Sequence, residues 1–399
     1  MTKDRRPAVE GGKPVRGDFL VFGSPRIEEA EIKEVEKTLR SGWIGTGPKV
    51  GRFESDFSKY CEAKYAMAVN SCTAALHLSM LVSGIKPGDE VITTPMTFCA
   101  TANAIIHAGG HPVFVDVEKD TFNLDPTLIE AAITEKTKAI VPVHFAGRPC
   151  KMDEILKIAR KNDLFVIEDA AHAIEAKYKG EKVGTIGDLT CFSFYVTKNL
   201  VTGEGGMVTT NNKEYAEKIK VLALHGMTQD AWKRYSDEGF KHYQVVAPGY
   251  KYNMMDIQAA LGIHQLQRVD SYLGRREEIW NKYNEAFKSL PVILPNEPEH
   301  NTVHGRHLYP LLLDIDSIKL TRDQLQKALF RENIGTGIHF ISLHLHPFYA
   351  DTFGLKNGDF PNAEFISERT ISLPISAKLD SRDVDDVIEG VRKILEYYS

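Results

Sequence analysis

One lysine, Lys198, stands in a polar loop between two short apolar runs, Thr190–Phe194 and Met207–Thr210. A glycine cluster, Gly203-Glu204-Gly205-Gly206, closes the loop. A lysine held between two buried strands is shielded from water, which lowers its pKa and frees the amine to act as a nucleophile. Ser193, just upstream, offers a hydroxyl to an anion, and the glycines permit close backbone approach. The alternative for this stretch alone is a surface turn with an ordinary lysine. A second run, Leu164-Phe165-Val166-Ile167-Glu168-Asp169, is an apolar strand ending in two acids and followed by Ala170-Ala171-His172. Asp169 falls where open α/β sheets place ligand-facing residues. A buried carboxylate needs a cationic partner. The protonated pyridine nitrogen of pyridoxal phosphate is such a partner, and that cofactor also requires a Schiff-base lysine. Lys198 and Asp169 together fit the pair.

Other segments add candidates. Tyr65–Val69 reads as a strand, Asn70-Ser71-Cys72-Thr73 as a small polar turn, and Ala74 onward as a helix. Strand, turn and helix make an anion site from exposed N–H groups and the helix dipole; a plain helix cap by Ser71 or Thr73 is the alternative. Phe98 leaves the strand Glu90–Thr93 through Pro95-Met96-Thr97, and a lone Phe is usually core. His144 is expected at the rim of a site or in a structural role. His339 belongs to a short expected strand, Gly337–Phe340. Together with His344 and His346 it invites a metal reading, but no acidic or cysteine ligand accompanies these histidines at a familiar spacing. No metal is expected.

These residues need elements to position them. Strands and helices alternate from Tyr65 to Asp169, which argues a mainly parallel sheet with helices on both faces. Glu28–Leu39 reads as an amphipathic helix with Ile32, Val35 and Leu39 on one face. A long helical stretch from Asp256 leads into a smaller region with strands at Leu308–Leu313 and Ile371–Pro374 and helices at Arg322–Glu332 and Asp380–Tyr398. The expected organisation is a loosely held polar arm over residues 1–20, a large domain over 21–255, and a long helix with a small α+β domain over 256–399. The polar stretch from Gly226 to Tyr252, with Trp232-Lys233-Arg234-Tyr235, is long enough to be functional or to lie at an interface.

Composition excludes several classes. The 399 residues carry 49 Lys and Arg against 54 Asp and Glu, with no basic stripe, so nucleic acid is not an expected partner. No apolar run is long enough to span a membrane. The N-terminus lacks the apolar core of a signal peptide. Five widely spaced cysteines show no zinc or redox spacing and read as free thiols in a reducing, cytoplasmic setting.

From about Phe22 onward the chain resembles the DegT/DnrJ/EryC1/StrS family of sugar aminotransferases, which have the type I aminotransferase fold. The marks are Trp43-Ile44-Gly45-Thr46-Gly47-Pro48, Asn70-Ser71-Cys72-Thr73-Ala74-Ala75-Leu76, Pro95-Met96-Thr97-Phe98, Glu168-Asp169-Ala170-Ala171-His172, Ser193 with Lys198, and Gly203-Glu204-Gly205-Gly206. The resemblance implies an α/β fold with a mainly parallel sheet of the seven-stranded type. It implies transamination with pyridoxal 5'-phosphate, passing through pyridoxamine 5'-phosphate, with Lys198 and Asp169 as catalytic residues. Cys72, Thr73 and Ser193 would meet the cofactor phosphate, with backbone contact expected at Cys72 because the family more often has glycine there. Phe98 would stack on the ring and His172 would orient it. Asn253 would reach the partner subunit's phosphate in a homodimer with shared active sites; a helix cap is its alternative. Trp43 and His339 are the candidates for substrate contact. Family habit gives glutamate as amino donor and, as acceptor, a nucleotide-linked keto-deoxy sugar, chiefly a 4-keto-6-deoxy hexose, for polysaccharide, lipopolysaccharide or antibiotic amino sugars. The competing readings are a dehydratase-like or non-catalytic relative and an NAD-binding α/β enzyme. Lys198 speaks against the dehydratase, which has histidine there. The absence of a glycine fingerprint after the first strand speaks against the dinucleotide fold.

Overall fold

The computed structural model describes residues 6–228 and 243–399. A seven-stranded sheet is formed by β1 (Tyr65–Val69), β2 (Glu90–Thr93), β3 (His111–Phe114), β4 (Thr137–Ile140), β5 (Phe165–Asp169), β8 (Leu189–Ser193) and β9 (Gly206–Thr210); β6 (Lys177–Tyr178) and β7 (Glu181–Lys182) form a separate hairpin. The order across the sheet is β1-β9-β8-β5-β4-β2-β3. Only β9 runs against its neighbours.

Side chains alternate across this sheet with period two, and both faces are apolar. Met67, Val91, Ala139, Ile167, Cys191 and Val208 face one core with α3 (Cys72–Val82), α4 (Cys99–His107) and α7 (Lys213–Ala223). Their neighbours Ala68, Phe192 and Met207 face α2 (Pro48–Tyr60) and the first half of α8 (Asp256–Phe287), while Ile92, Ile140 and Val166 face α5 (Pro126–Ala132) and α6 (Met152–Lys161). Burial on both faces is what a near-continuous apolar strand encodes.

Helix α8 is shared between two cores. Ala259, Ile263 and Val269 pack in the large one; Ile279, Trp280, Tyr283 and Phe287 pack in a second. That second core is completed by the antiparallel strands β10 (Val292–Ile293), β11 (Tyr309–Leu313) and β12 (Thr370–Leu373), with α9 (Arg322–Arg331) and α12 (Ser381–Tyr398). Helices α10 (Pro347–Phe353) and α11 (Pro361–Arg369) complete the C-terminal region.

Four differences from the sequence expectations have physical causes. The N-terminal arm is not loose over its described part. Buried Glu332 accepts from Ala8 N (2.7 Å) and Val15 N (2.8 Å), and Arg16 pairs with Asp383 and Asp386. Helix α2, absent from the sequence reading, has no side-chain cap of its own; Asp256 supplies one from a distant position, accepting from Lys49 N and Val50 N. Gly337–Phe340 is not a strand: only Gly337 pairs, with Ser372. Helix α1 (Glu29–Ser41) forms, but it buries Glu31 and Thr38 toward the protein and leaves Ile32 and Leu39 about half exposed (52% and 54%).

Candidate active site

The C-terminal edge of the parallel strands opens into a cleft of about 480 Å³. Eight of the residues singled out in the sequence line it: Cys72, Thr73, Phe98, Asp169, His172, Ser193, Lys198 and His339. Seven of them come from the end of a strand, the turn that follows it or the first turn of the next helix; His339 comes from the irregular segment after α9. Neighbouring parallel strands end at one level, so residues far apart in sequence meet there.

Lys198 follows β8 in a turn closed by its own N–H to Tyr195 O (2.8 Å). Its amine reaches the cleft, and the surrounding protein lowers its pKa to about 8, chiefly by desolvation, while Cys72 and Asp169 oppose the shift. Asp169, at the end of β5, is buried; desolvation pushes its pKa up, against hydrogen bonds from Thr101 and Ala171 N. Thr101 Oγ1 donates to Asp169 Oδ2 (2.7 Å), Ala171 N donates to Oδ1 (3.1 Å), and Thr97 lies 2.8 Å behind Thr101. These donors favour the ionised carboxylate. Thr101 was missed in the sequence, although Thr97 and Thr101 are spaced i,i+4.

The turn after β1 leads into α3. Ser71 Oγ accepts from Ala74 N (3.1 Å), so the N-cap alternative holds. The cap leaves the N–H groups of Cys72 and Thr73 without an acceptor inside the helix. Gly206 closes this cradle: a Cβ there would lie 2.5 Å from Ser71 C and 2.7 Å from Cys72 N. Phe98 stands 60% exposed in the cleft, its ring tilted at 44° to Phe340 at 6.3 Å. His172 is buried, accepts from Ala146 N at Nδ1 (3.3 Å), and is held well below its ordinary pKa by burial and by Lys198. Burial and Lys198 also lower His339 to about 3; its Nδ1 meets Ser372 Oγ at 2.9 Å.

Three of the candidate residues lie outside this cleft. Of the two readings of His144, rim or structural, the structural one holds. It is fully buried behind the cleft, with Nε2 2.9 Å from Glu168 Oε2 and Nδ1 accepting from Cys150 N. Trp43 and Asn253 do not line the Lys198 cleft of their own chain. Trp43 Nε1 donates to Thr46 O, Asn253 Nδ2 donates to Thr46 Oγ1 (2.6 Å), and Asn253 lines a second cleft of about 570 Å³. The Asn253 carboxamide oxygen is buried with no partner. His344 bonds Ser342 and Glu364. The stretch Trp232–Tyr235 lies outside the described residues.

The donor set fits pyridoxal phosphate. It has a lysine of lowered pKa, a carboxylate held ready for a cation, a helix terminus with free N–H groups beside a hydroxyl, and an open aromatic face. The sequence pattern of the DegT/DnrJ/EryC1/StrS aminotransferase family matches residues 25–392. The chain belongs to this family. A protein of Methanocaldococcus jannaschii with no assigned activity is 57% identical over 381 residues, covering 96% of this chain and 99% of its own. The spore coat polysaccharide biosynthesis protein SpsC of Bacillus subtilis is 53% identical over 382 residues, covering 96% and 98%. Among solved structures, a Streptococcus pneumoniae protein described as a sugar aminotransferase, in its pyridoxamine phosphate form, superposes with a TM-score of 0.88 at 36% identity over 95% of this chain and 98% of its own. Helicobacter pylori PseC, an aminotransferase of pseudaminic acid biosynthesis, gives 0.88 at 30% identity over 96% and 100%. This DegT-family chain is therefore a sugar aminotransferase, and pyridoxal phosphate, with its pyridoxamine form, is its cofactor. Among the described residues no helix is long and apolar enough to cross a membrane.

Proposed function

We propose that the enzyme moves an amino group from glutamate to the keto carbon of a nucleotide-linked keto-deoxy sugar, a 4-keto-6-deoxy hexose in the first instance, for polysaccharide amino-sugar synthesis. The observation that carries this reading is the Lys198 amine, its pKa lowered by burial, sharing one cleft with buried Asp169. Relationship to SpsC and PseC supports the sugar acceptor and the biosynthetic setting.

The cofactor supplies an aldehyde that carries the amino group and a ring that accepts electrons. Lys198 Nζ would hold it through that aldehyde, and the free amine would take up and return the proton at the donor's α-carbon. A lysine near pKa 8 suits this work, because it exchanges protons readily near neutral pH. Asp169, held by Thr101 and Ala171 N, keeps a positive N–H opposite it. The Cys72 and Thr73 N–H groups and Ser193 receive the phosphate, Phe98 covers the ring face, and His172 orients the ring. His339 faces the acceptor sugar.

The working unit in this reading is a homodimer with shared sites, in the cytoplasm. Among the residues lining the cleft only Lys198 is a strong base, yet a cofactor phosphate, two glutamate carboxylates and a substrate pyrophosphate all need donors. Ile32 and Leu39 on α1, and Trp43, Ile44, Val245 and Val246, are exposed apolar side chains that a second copy would cover. Asn253 lies beside Thr46, to which its Nδ2 donates one hydrogen; the second Nδ2 hydrogen would be the donor offered across the interface.

A panel of keto-sugar nucleotides with glutamate, read as 2-oxoglutarate release, tests the function. Release with a UDP-, dTDP- or GDP-linked 4-keto-6-deoxy hexose is expected. Release only with free keto sugars or cyclitol ketones would overturn the nucleotide-linked assignment.

A further inference from the structure

Behind His172 a second imidazole, His307, is buried with no part in the proposed chemistry. The ring centroids lie 4.4 Å apart at 39°. His307 follows the turn at Gly305, and its Nδ1 lies 3.0 Å from Asn199 Oδ1. Asn199 is the residue after Lys198.

The hydrogen-bond pattern fixes protons that the coordinates alone do not show. Asn199 Nδ2 lies 2.9 Å from Gly305 O and 2.8 Å from Glu175 Oε2. A carbonyl oxygen only accepts, so the Asn199 amide nitrogen must face it and its oxygen must face His307. His307 therefore carries its proton on Nδ1. Glu175 is in turn held by Arg276 in a buried ion pair. At the other ring, Ala146 N–H donates to His172 Nδ1, so the proton of His172 is on Nε2. Burial and Lys198 keep both imidazoles well below their ordinary pKa, and both are neutral.

We infer that His307 is a positioning residue: locked by Asn199 as its Nδ1–H tautomer, it braces the His172 ring so that His172 Nε2–H is the fixed donor offered to the cleft. Arg276, Glu175 and Asn199 form the rigid backing. Because Asn199 adjoins Lys198, the same backing sets the loop that carries the amine. The inference rests on the proposed orienting role of His172. A donor that must meet a ring-bound oxygen or nitrogen loses rate steeply when it is displaced by about 1 Å.

The test uses full-length protein labelled with ¹⁵N-histidine, without cofactor and loaded with it, and long-range ¹H–¹⁵N correlation to read each ring's tautomer. His307 is expected as Nδ1–H and His172 as Nε2–H in both states. Wild-type His307 found as Nε2–H, or as a mixture, overturns the inference without any variant and leaves the aminotransferase reading untouched. His307→Ala should let the unbraced His172 ring swing away from Ala146 N, mixing its tautomers, and lower kcat by roughly tenfold or more with little change in KM for glutamate. His307→Phe, which keeps a ring in the stack, should restore the His172 signature and most of kcat. A folded His307→Ala protein whose His172 signals and kcat match wild type refutes the brace. So does a loss of kcat with unchanged His172 signals, or a His307→Phe protein no better than His307→Ala.

Discussion

Thr101 donates its only hydroxyl proton to Asp169 Oδ2 at 2.7 Å. The 2.8 Å contact with Thr97 must then run from Thr97 to Thr101, giving a two-step donor chain from the turn before α4 into the helix that ends at the carboxylate. Thr101→Val keeps the side chain's shape and removes the donor. Hydrogen bonds to charged groups are worth roughly 1.5–3 kcal/mol. The variant should fold, bind cofactor and turn over about tenfold or more slowly, because the carboxylate is less readily ionised. Wild-type kcat in Thr101→Val would remove Thr101 from the account.

Gly206→Ala tests the phosphate cradle. The added methyl would meet the Ser71 and Cys72 backbone, which cannot swing aside as a flexible side chain does. Overpacking of this kind costs about 1–3 kcal/mol. Cofactor titration by absorbance should show weakened binding, together with a lower melting temperature. Unchanged affinity would place the phosphate elsewhere.

The lowered pKa of Lys198 makes a statement about stability and pH. In the cofactor-free protein the amine has a pKa of about 8, against 10.5 for an ordinary lysine. Between those values the unfolded chain binds the proton and the folded one does not, so this group's contribution to stability rises with pH across that window; below it the full penalty remains. Lys198→Met carries no such penalty. The denaturant-midpoint difference between Lys198→Met and wild type should therefore be largest near pH 7 and shrink toward pH 9.5. A difference independent of pH would mean that the lysine is not depressed.

Much of this arrangement was legible in the sequence, for reasons that particular residues make plain. The strand Tyr65–Val69 and the acid at Asp169 could be read because a strand covered on both faces is apolar along its length and turns polar at the end that meets the cleft. Lys198 could be read because a lone cation between such strands needs a cause. His307 and Thr101 were not legible: their roles depend on which side chain they touch across the fold, and neither spacing nor residue type records that. Helix α2 was hidden because its cap, Asp256, lies more than two hundred residues away. His144 was left between two readings because a histidine at a strand end has the same local sequence whether it faces the cleft or, as here, Glu168.

The proposed sharing of active sites makes a prediction about mixtures. Lys198→Ala and Asn253→Asp should each be inactive, the second because a carboxylate would repel the phosphate. Unfolded and refolded together, they form mixed dimers with one doubly altered site and one intact site. Activity should return to roughly a quarter to a half of wild type, from statistical exchange of protomers. No recovery, in samples whose mass shows the mixed dimer, would return Asn253 to a role within its own chain, such as its bond to Thr46.

The central claim is that Lys198 is the residue that holds the cofactor, and borohydride reduction of the loaded enzyme tests it most directly. Reduction should abolish the yellow absorbance and leave a pyridoxyl-phosphate mass on one peptide, the one containing Lys198. The label on any other lysine, or loss of colour with no covalent label, would contradict the account.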